Sequence, residues 1–229
     1  MEDTQTAGTG SPGHVPTDVA DNEVRFGLML ATLTVSFVIS GIAQPWAQAV
    51  SIGLTGVLLV IGFRNAGIAS ARPALIALCI VVLSATLLVA LLRDESRWRA
   101  VPMLLESAVL AVLVVLAVRA ALHRSDVDLQ TILAAISAYV LIGFVYAWGY
   151  LALDIIDDDQ FSIPASESTE YFSFSFVVQT TLGFGNQVPT SSISSRLVVT
   201  QAVVGQIFLA TLVARLVSMY GTKARRGQS

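Results

Sequence analysis

The sequence predicts an all-α integral membrane protein of six transmembrane helices, with a short re-entrant helix and a polar loop ahead of the last span. Three observations carry that expectation. Of 229 residues, 55% are hydrophobic and 13% charged, roughly half the charged share of a soluble domain, and the mean hydropathy is +0.74. Apolar runs recur at about the 20 residues needed to cross a bilayer. Between the last two of them, residues 180–186 read Thr-Thr-Leu-Gly-Phe-Gly-Asn in a polar loop.

Taken in order, residues 1–23 are rich in Gly, Thr, Pro and Asp, contain no apolar run and are expected to be a disordered tail. They lack the basic start of a signal peptide and the arginines of a transit peptide, and His14 there reads as solvated. Five apolar runs follow at 24–43, 47–63, 73–92, 101–118 and 129–153, and a last helix is expected at 195–220. The second run is short and rich in small residues (Ala49, Ser51, Gly53, Gly56), which favours close helix contacts. Pro45, the Asn65-Ala66-Gly67 segment and the charged 93–99 stretch separate the early runs. The single cysteine, Cys79, lies in an apolar run and reads as a small packing residue. One lysine among 13 basic residues, and no basic tract, argue against nucleic acid as a partner. No nucleophile–base constellation or metal-ligand cluster suggests an enzyme or a bound cofactor.

The chemistry concentrates at 180–186. Dehydrating a cation requires groups that replace its water shell, and rings of backbone carbonyls do so. Turning successive carbonyls toward one axis takes backbone conformations that side chains penalise, and Gly183 and Gly185 reach them at little steric cost. Thr181 adds a hydroxyl beneath the lowest ring. Non-helical backbone at membrane depth is tolerated where it lines a water-filled path. Thr180, Thr181, Leu182, Gly183, Phe184, Gly185 and Asn186 are therefore the candidate lining of a cation path, with ions held at Thr181, Leu182, Gly183 and Phe184.

This run resembles the selectivity filter of the potassium channel superfamily, usually Thr-Val-Gly-Tyr-Gly-Asp. Pro189 follows the last filter glycine by four positions, and Gly205 lies 20 beyond Gly185, where many such channels carry an inner-helix hinge. Residues 171–181 look like the family's pore helix and 195–220 like its inner helix. The resemblance covers roughly residues 130–220 and implies a homotetrameric, potassium-selective pore in a cell membrane, with potassium as the permeant ion and lipid and three further copies as partners. It divides the chain into a tail (1–23), a four-helix domain (24–128), a pore domain (129–220) and a second tail (221–229). The tail after Tyr220 leaves no room for a cytoplasmic ligand-binding domain. A bacterial inner membrane fits the compact loops.

In this family the filter mouth faces outside, which puts both termini in the cytoplasm. Positive charge agrees with that: Arg25, Arg64, Arg72, Arg119, Arg124, Lys223, Arg225 and Arg226 fall inside, against Arg93, Arg97, Arg99 and Arg196 outside. A voltage sensor needs arginines spaced along the fourth helix, and 101–118 has none. Glu106, the one acid there, reads as a shallow structural group able to pair with Arg97 or Arg99. Asp154, Asp157, Asp158, Asp159, Glu167 and Glu170 form an acidic outer vestibule in the tetramer, one that concentrates cations. Ser166 and Ser168 are candidate caps of the helix that follows. On the inner helix Gln206, Leu209, Val213 and Val217 share a face and are candidate cavity and gate residues.

The filter departs from the family pattern. Asn186 replaces the usual aspartate, Val177 its common glutamate partner, Phe184 the bracing tyrosine, and Ser173 and Phe174 the paired tryptophans. The brace is expected to be thinner. The resulting expectation is a potassium channel without voltage gating; the alternatives are a weakly selective monovalent cation channel and a non-conducting membrane signalling or transport subunit.

Overall fold

The structure, a computed structural model, describes residues 17–40, 50, 53–58, 60–61, 100–122, 129–162 and 168–226. Five helices emerge: α1 (Thr17–Ser40), α2 (Ala100–Leu122), α3 (Leu129–Ile156), α4 (Ser168–Gln179) and α5 (Ser192–Arg226). Residues 53–58 and 60–61 are helical, and no strand occurs among the described residues. Among the described residues, three segments are long and apolar enough to cross a membrane: Ala100–Arg119, Thr131–Ile156 and Ser192–Arg215. The apolar part of α1, Gly27–Ile39, is shorter than a span. The run expected at 73–92 lies outside the described residues, as does most of the tail and Glu167. The described part of the chain is thus all-helical, with the character of a membrane protein.

Several boundaries differ from expectation for local reasons. Helix α1 starts at Thr17, so 17–23 are helical rather than part of a disordered tail; adding turns to an existing helix needs no new nucleus. Helix α2 accepts Pro102 because its first turn has no intrahelical partner for that N–H. Helix α4 starts at Ser168 and ends at Gln179, three residues earlier at its start and two at its end than the 171–181 expected. Glu170 sits in its first turn, where the helix dipole favours an acid. Helix α5 opens on a reciprocal cap. The Ser191 hydroxyl accepts from the Ser194 N–H at 3.1 Å, and the Ser194 hydroxyl accepts from the Ser191 N–H at 3.2 Å. This is a capping box with serine where glutamate is usual. Within the apolar helices, Thr32, Thr34 and Thr200 satisfy their hydroxyls on the carbonyl one turn back.

Helix α3 is the hub, packing against α1, α2, α4 and α5, with α4 also against α5. An aromatic cluster joins α3 to α4. Trp148 meets Phe172 edge-on at 5.0 Å, Phe144 meets Phe172 at 5.7 Å, and Tyr150 and Phe161 both flank Phe174. Such pairs contribute about 0.5–1.5 kcal/mol each beyond the area they bury. Phe176 completes the contact by lying on Gly143, where an added Cβ would come within 2.6 Å of its ring. Gly143→Ala should therefore lower the thermal stability of the purified protein by about 1–3 kcal/mol through overpacking. Adding Phe176→Leu should recover part of that loss; a double variant that unfolds earlier than Gly143→Ala would contradict the contact.

Candidate functional site

The site begins where α4 stops. Leu182 donates its N–H to the Val177 carbonyl at 3.0 Å, and Thr181 donates to Val178 at 3.1 Å. This pair of bonds is a Schellman cap, whose left-handed residue is normally glycine. Here that residue is Thr181, with φ of 61°. Left-handed backbone costs a non-glycine residue roughly 1–2 kcal/mol, so the cap geometry is imposed by the surroundings.

The remaining carbonyls at this helix end are also engaged. Phe176 accepts from the Thr180 N–H at 3.0 Å and the Thr180 hydroxyl at 2.6 Å. Gln179 accepts from the Tyr139 hydroxyl at 3.2 Å, and Thr180 from the Thr181 hydroxyl at 2.6 Å. Beyond that point the pattern changes. Among the described residues, no donor reaches a carbonyl from Thr181 to Asn186. Gly183 and Gly185 take φ of 62° and 74°, so every second residue from Thr181 to Gly185 is left-handed. A Cβ at either glycine would meet nothing within 4 Å, so backbone conformation, not space, requires glycine there. Leu182 and Phe184 are 62% and 69% exposed, apolar side chains left uncovered by their own chain.

A buried polar network lies behind this loop. Gln201 of α5 accepts from the Tyr150 hydroxyl at 2.5 Å and donates to the Ser175 carbonyl, the Ser175 hydroxyl and the Gln179 side-chain oxygen at 3.0, 2.7 and 3.2 Å. Ser175 donates in turn to the Gly143 carbonyl at 2.7 Å, and Gln179 to the Tyr139 carbonyl at 2.6 Å. Tyr150, Ser175, Gln179 and Gln201 are all fully buried.

The far end of the loop is held separately. The segment 157–162 pairs with 188–191: Ser162 donates to the Val188 carbonyl at 3.0 Å, Thr190 to the Gln160 carbonyl at 2.9 Å, and Phe161 bridges Pro189. The Ser191 hydroxyl donates to the Gln160 side chain, which donates to Asp157 at 2.7 Å. The sequence placed Asp154 among the vestibule acids, but it does not join the exposed Asp157–Asp159 run. It is buried in α3 and accepts from the Tyr171 hydroxyl at 2.6 Å and the Gln160 N–H at 3.1 Å. Burial first, and then the neighbouring Asp154, hold the Tyr171 hydroxyl above its ordinary pKa, so it stays a donor.

The other sequence-predicted residues fall as follows. Thr180 and Asn186 are exposed with the loop, as are Asp157, Asp158 and Asp159, while Glu170 is half-buried. Val177 is buried and Phe174 joins the aromatic cluster. Gln206, Leu209, Val213 and Val217 are exposed on α5. Gly205 is buried, and α5 runs through it as continuous helix. Among the described residues, no three His, Cys, Asp or Glu side chains converge as metal ligands. Sequence reasoning missed Tyr139, Tyr150, Ser175, Gln179 and Gln201; the available signal was two glutamines in otherwise apolar helices, since polar groups there need partners.

Glu106 has a partner that the sequence did not suggest. It is 3% exposed and accepts from the Thr55 hydroxyl at 2.7 Å, while Arg97 and Arg99 lie outside the described residues. Comparison of the chain with protein-family models, curated proteins and solved structures found no match. Thr55→Val removes a donor from a buried carboxyl group and should cost about 1–3 kcal/mol of stability, whereas Glu106→Gln keeps an acceptor oxygen and should cost less. Thermal unfolding of the two variants checks the order; Glu106→Gln melting below Thr55→Val would contradict it.

Proposed function

We propose that four copies of this chain surround a common axis and conduct potassium ions through a pore lined by the carbonyls of Thr181 to Phe184. The observation that carries this reading is the sharp change at Thr181. Every carbonyl from Phe176 to Thr180 has a partner, and none from Thr181 to Asn186 does among the described residues. These carbonyls are exposed in the single chain; enclosed by further copies they would cost free energy unless something coordinated them, and a dehydrated cation is that partner in a carbonyl ring. Alternating left-handed residues at 181, 183 and 185 favour successive carbonyls on one edge of the strand. In this reading α4 is the pore helix and α5 the inner helix. The exposed apolar row Val199, Val203 and Ile207 on α5 meets neighbouring copies or lipid.

A single loop of this kind supplies a fraction of a coordination shell, which is why copies are needed. The absence of Tyr at 184 and of an acid at 177 favours one alternative, a weakly selective cation pore. Purified protein in liposomes distinguishes the cases. Potassium uptake driven by a gradient, with sodium uptake far slower, supports the reading; equal rates favour the weakly selective pore, and no flux overturns conduction.

Gly183→Ala or Gly185→Ala should abolish selective conduction while the tetramer still assembles, because alanine at φ above 60° is strained. Size-exclusion chromatography with the flux assay checks this, and normal selectivity in either variant would falsify the role given to the loop. A second outcome concerns voltage. No basic residue lies between Val101 and Val118 of α2, and each elementary charge crossing the field is worth roughly 2.3 kcal/mol per 100 mV. Open probability in planar bilayers should therefore change little with voltage. A steep relation in potassium alone, without blockers, would contradict this.

A further inference from the structure

We propose that Gln201 is a positioning residue for the filter: its amide fixes Gln179, the last residue of the pore helix, and through it the carbonyls that begin at Thr181. The inference rests on the conducting reading above and adds to it a specificity role for a residue outside the filter.

The geometry is specific. The Tyr150 hydroxyl donates to Gln201 Oε1 at 2.5 Å, which commits the other end of the amide, Nε2, to donate. Its two N–H groups are used on Ser175 and on Gln179 Oε1. Ser175 Oγ is free to accept because its own proton goes to the Gly143 carbonyl. Gln179 Oε1 accepts from Gln201 while its Nε2 donates to the Tyr139 carbonyl at 2.6 Å. One amide thus ties α5 to α4, and the same network ties both to α3.

A second contact, independent of hydrogen bonding, falls on the same residue. Gly205 lies one turn beyond Gln201, and a Cβ there would stand 3.1 Å from both Cγ and the backbone oxygen of Gln179. The glycine lets the inner helix seat directly on the end of the pore helix. Gln179 is therefore held from α5 twice, by the amide of Gln201 and by the flat surface at Gly205. It lies two residues before Thr181, whose left-handed cap starts the loop. A shift of Gln179 by a few tenths of an ångström moves the Schellman bonds, and with them the first free carbonyl. Coordination of a dehydrated ion depends on carbonyl positions at that scale.

The test uses the full-length protein in liposomes and planar bilayers, reading the potassium-to-sodium permeability ratio from reversal potentials beside thermal stability of the tetramer. Gln201→Met keeps side-chain length and removes every hydrogen bond. It should assemble and conduct with a permeability ratio lowered about fivefold, the factor corresponding to one net hydrogen bond. Gln179→Met combined with Gln201→Met should lower the ratio no further than the larger single effect, because both act through one contact. If Gln201→Met does not assemble, Gly205→Ala gives the same reading by crowding Gln179 from the other contact, and it too should lower the ratio.

An unchanged ratio in Gln201→Met with reduced thermal stability overturns the proposal and leaves Gln201 as a packing residue. Additive effects of the two glutamine substitutions also overturn it, as does Gly205→Ala altering open probability alone. Those results leave potassium conduction itself standing. No potassium flux from the unaltered protein overturns conduction and this inference together.

Discussion

A helix that ends inside an apolar bundle must find partners for its last carbonyls, and the arrangement around 180–186 follows from how α4 meets that demand. A carbonyl left unpaired where water is excluded costs on the order of 1–3 kcal/mol. The chain answers with the Schellman bonds from Thr181 and Leu182, the Thr180 and Thr181 hydroxyls, and the Tyr139 hydroxyl. The cap requires a left-handed residue at 181, and that residue starts the alternation that Gly183 and Gly185 continue. The local strain at Thr181 and the free carbonyls after it are thus two consequences of one helix end.

Helices and loop were legible in the sequence to different degrees. The apolar runs marked α2, α3 and α5 because burial in a bilayer demands length, and length is visible without knowing the fold. Gly183 and Gly185 marked the loop because few other residues reach positive φ. Thr181 could not be read that way, since threonine at positive φ runs against its own preference and is fixed by tertiary bonds. Asp154 was misread for a related reason. It adjoins the Asp157–Asp159 run, yet Ile155 and Ile156 extend α3 past it, so it belongs to a buried helix end and not to a loop. Gln179 and Gln201 are single residues on two helices whose register against each other no spacing rule supplies. Only packing brings their amides together.

Val177, Phe184 and Asn186 stand where the resembled filter carries bracing polar groups, and the expectation was a thinner brace. The loop's own hydrogen bonds lie at its two ends. At the near end Gln179 and Gln201 join α3, α4 and α5, and at the far end 157–162 is laced to 188–191. Each net bond contributes about 1 kcal/mol, and the bonds at each end belong to networks that polarise one another. The loop is therefore clamped at both ends, while Val177, buried with no polar atom, leaves no orphaned group where the acid pair would have been.

Between those clamps, residues 182–186 are exposed and their carbonyls have no partner among the described residues, a distribution that argues for completion by other copies. A chain stable by itself has little reason to hold strained left-handed backbone with Leu182 and Phe184 facing outward. The same holds for α5, whose Ser192–Arg215 segment is only 11% buried despite its apolar character. Lipid can cover an apolar helix, but it offers no donors and no charge to a row of free carbonyls. A loop that lipid cannot cover must face either protein or a hydrated path. In the proposed assembly, copies arranged around an axis would provide both, protein contacts for Leu182 and Phe184 behind the loop and a route for cations before it, which would give the strain at Thr181 and the left-handed glycines after it a use.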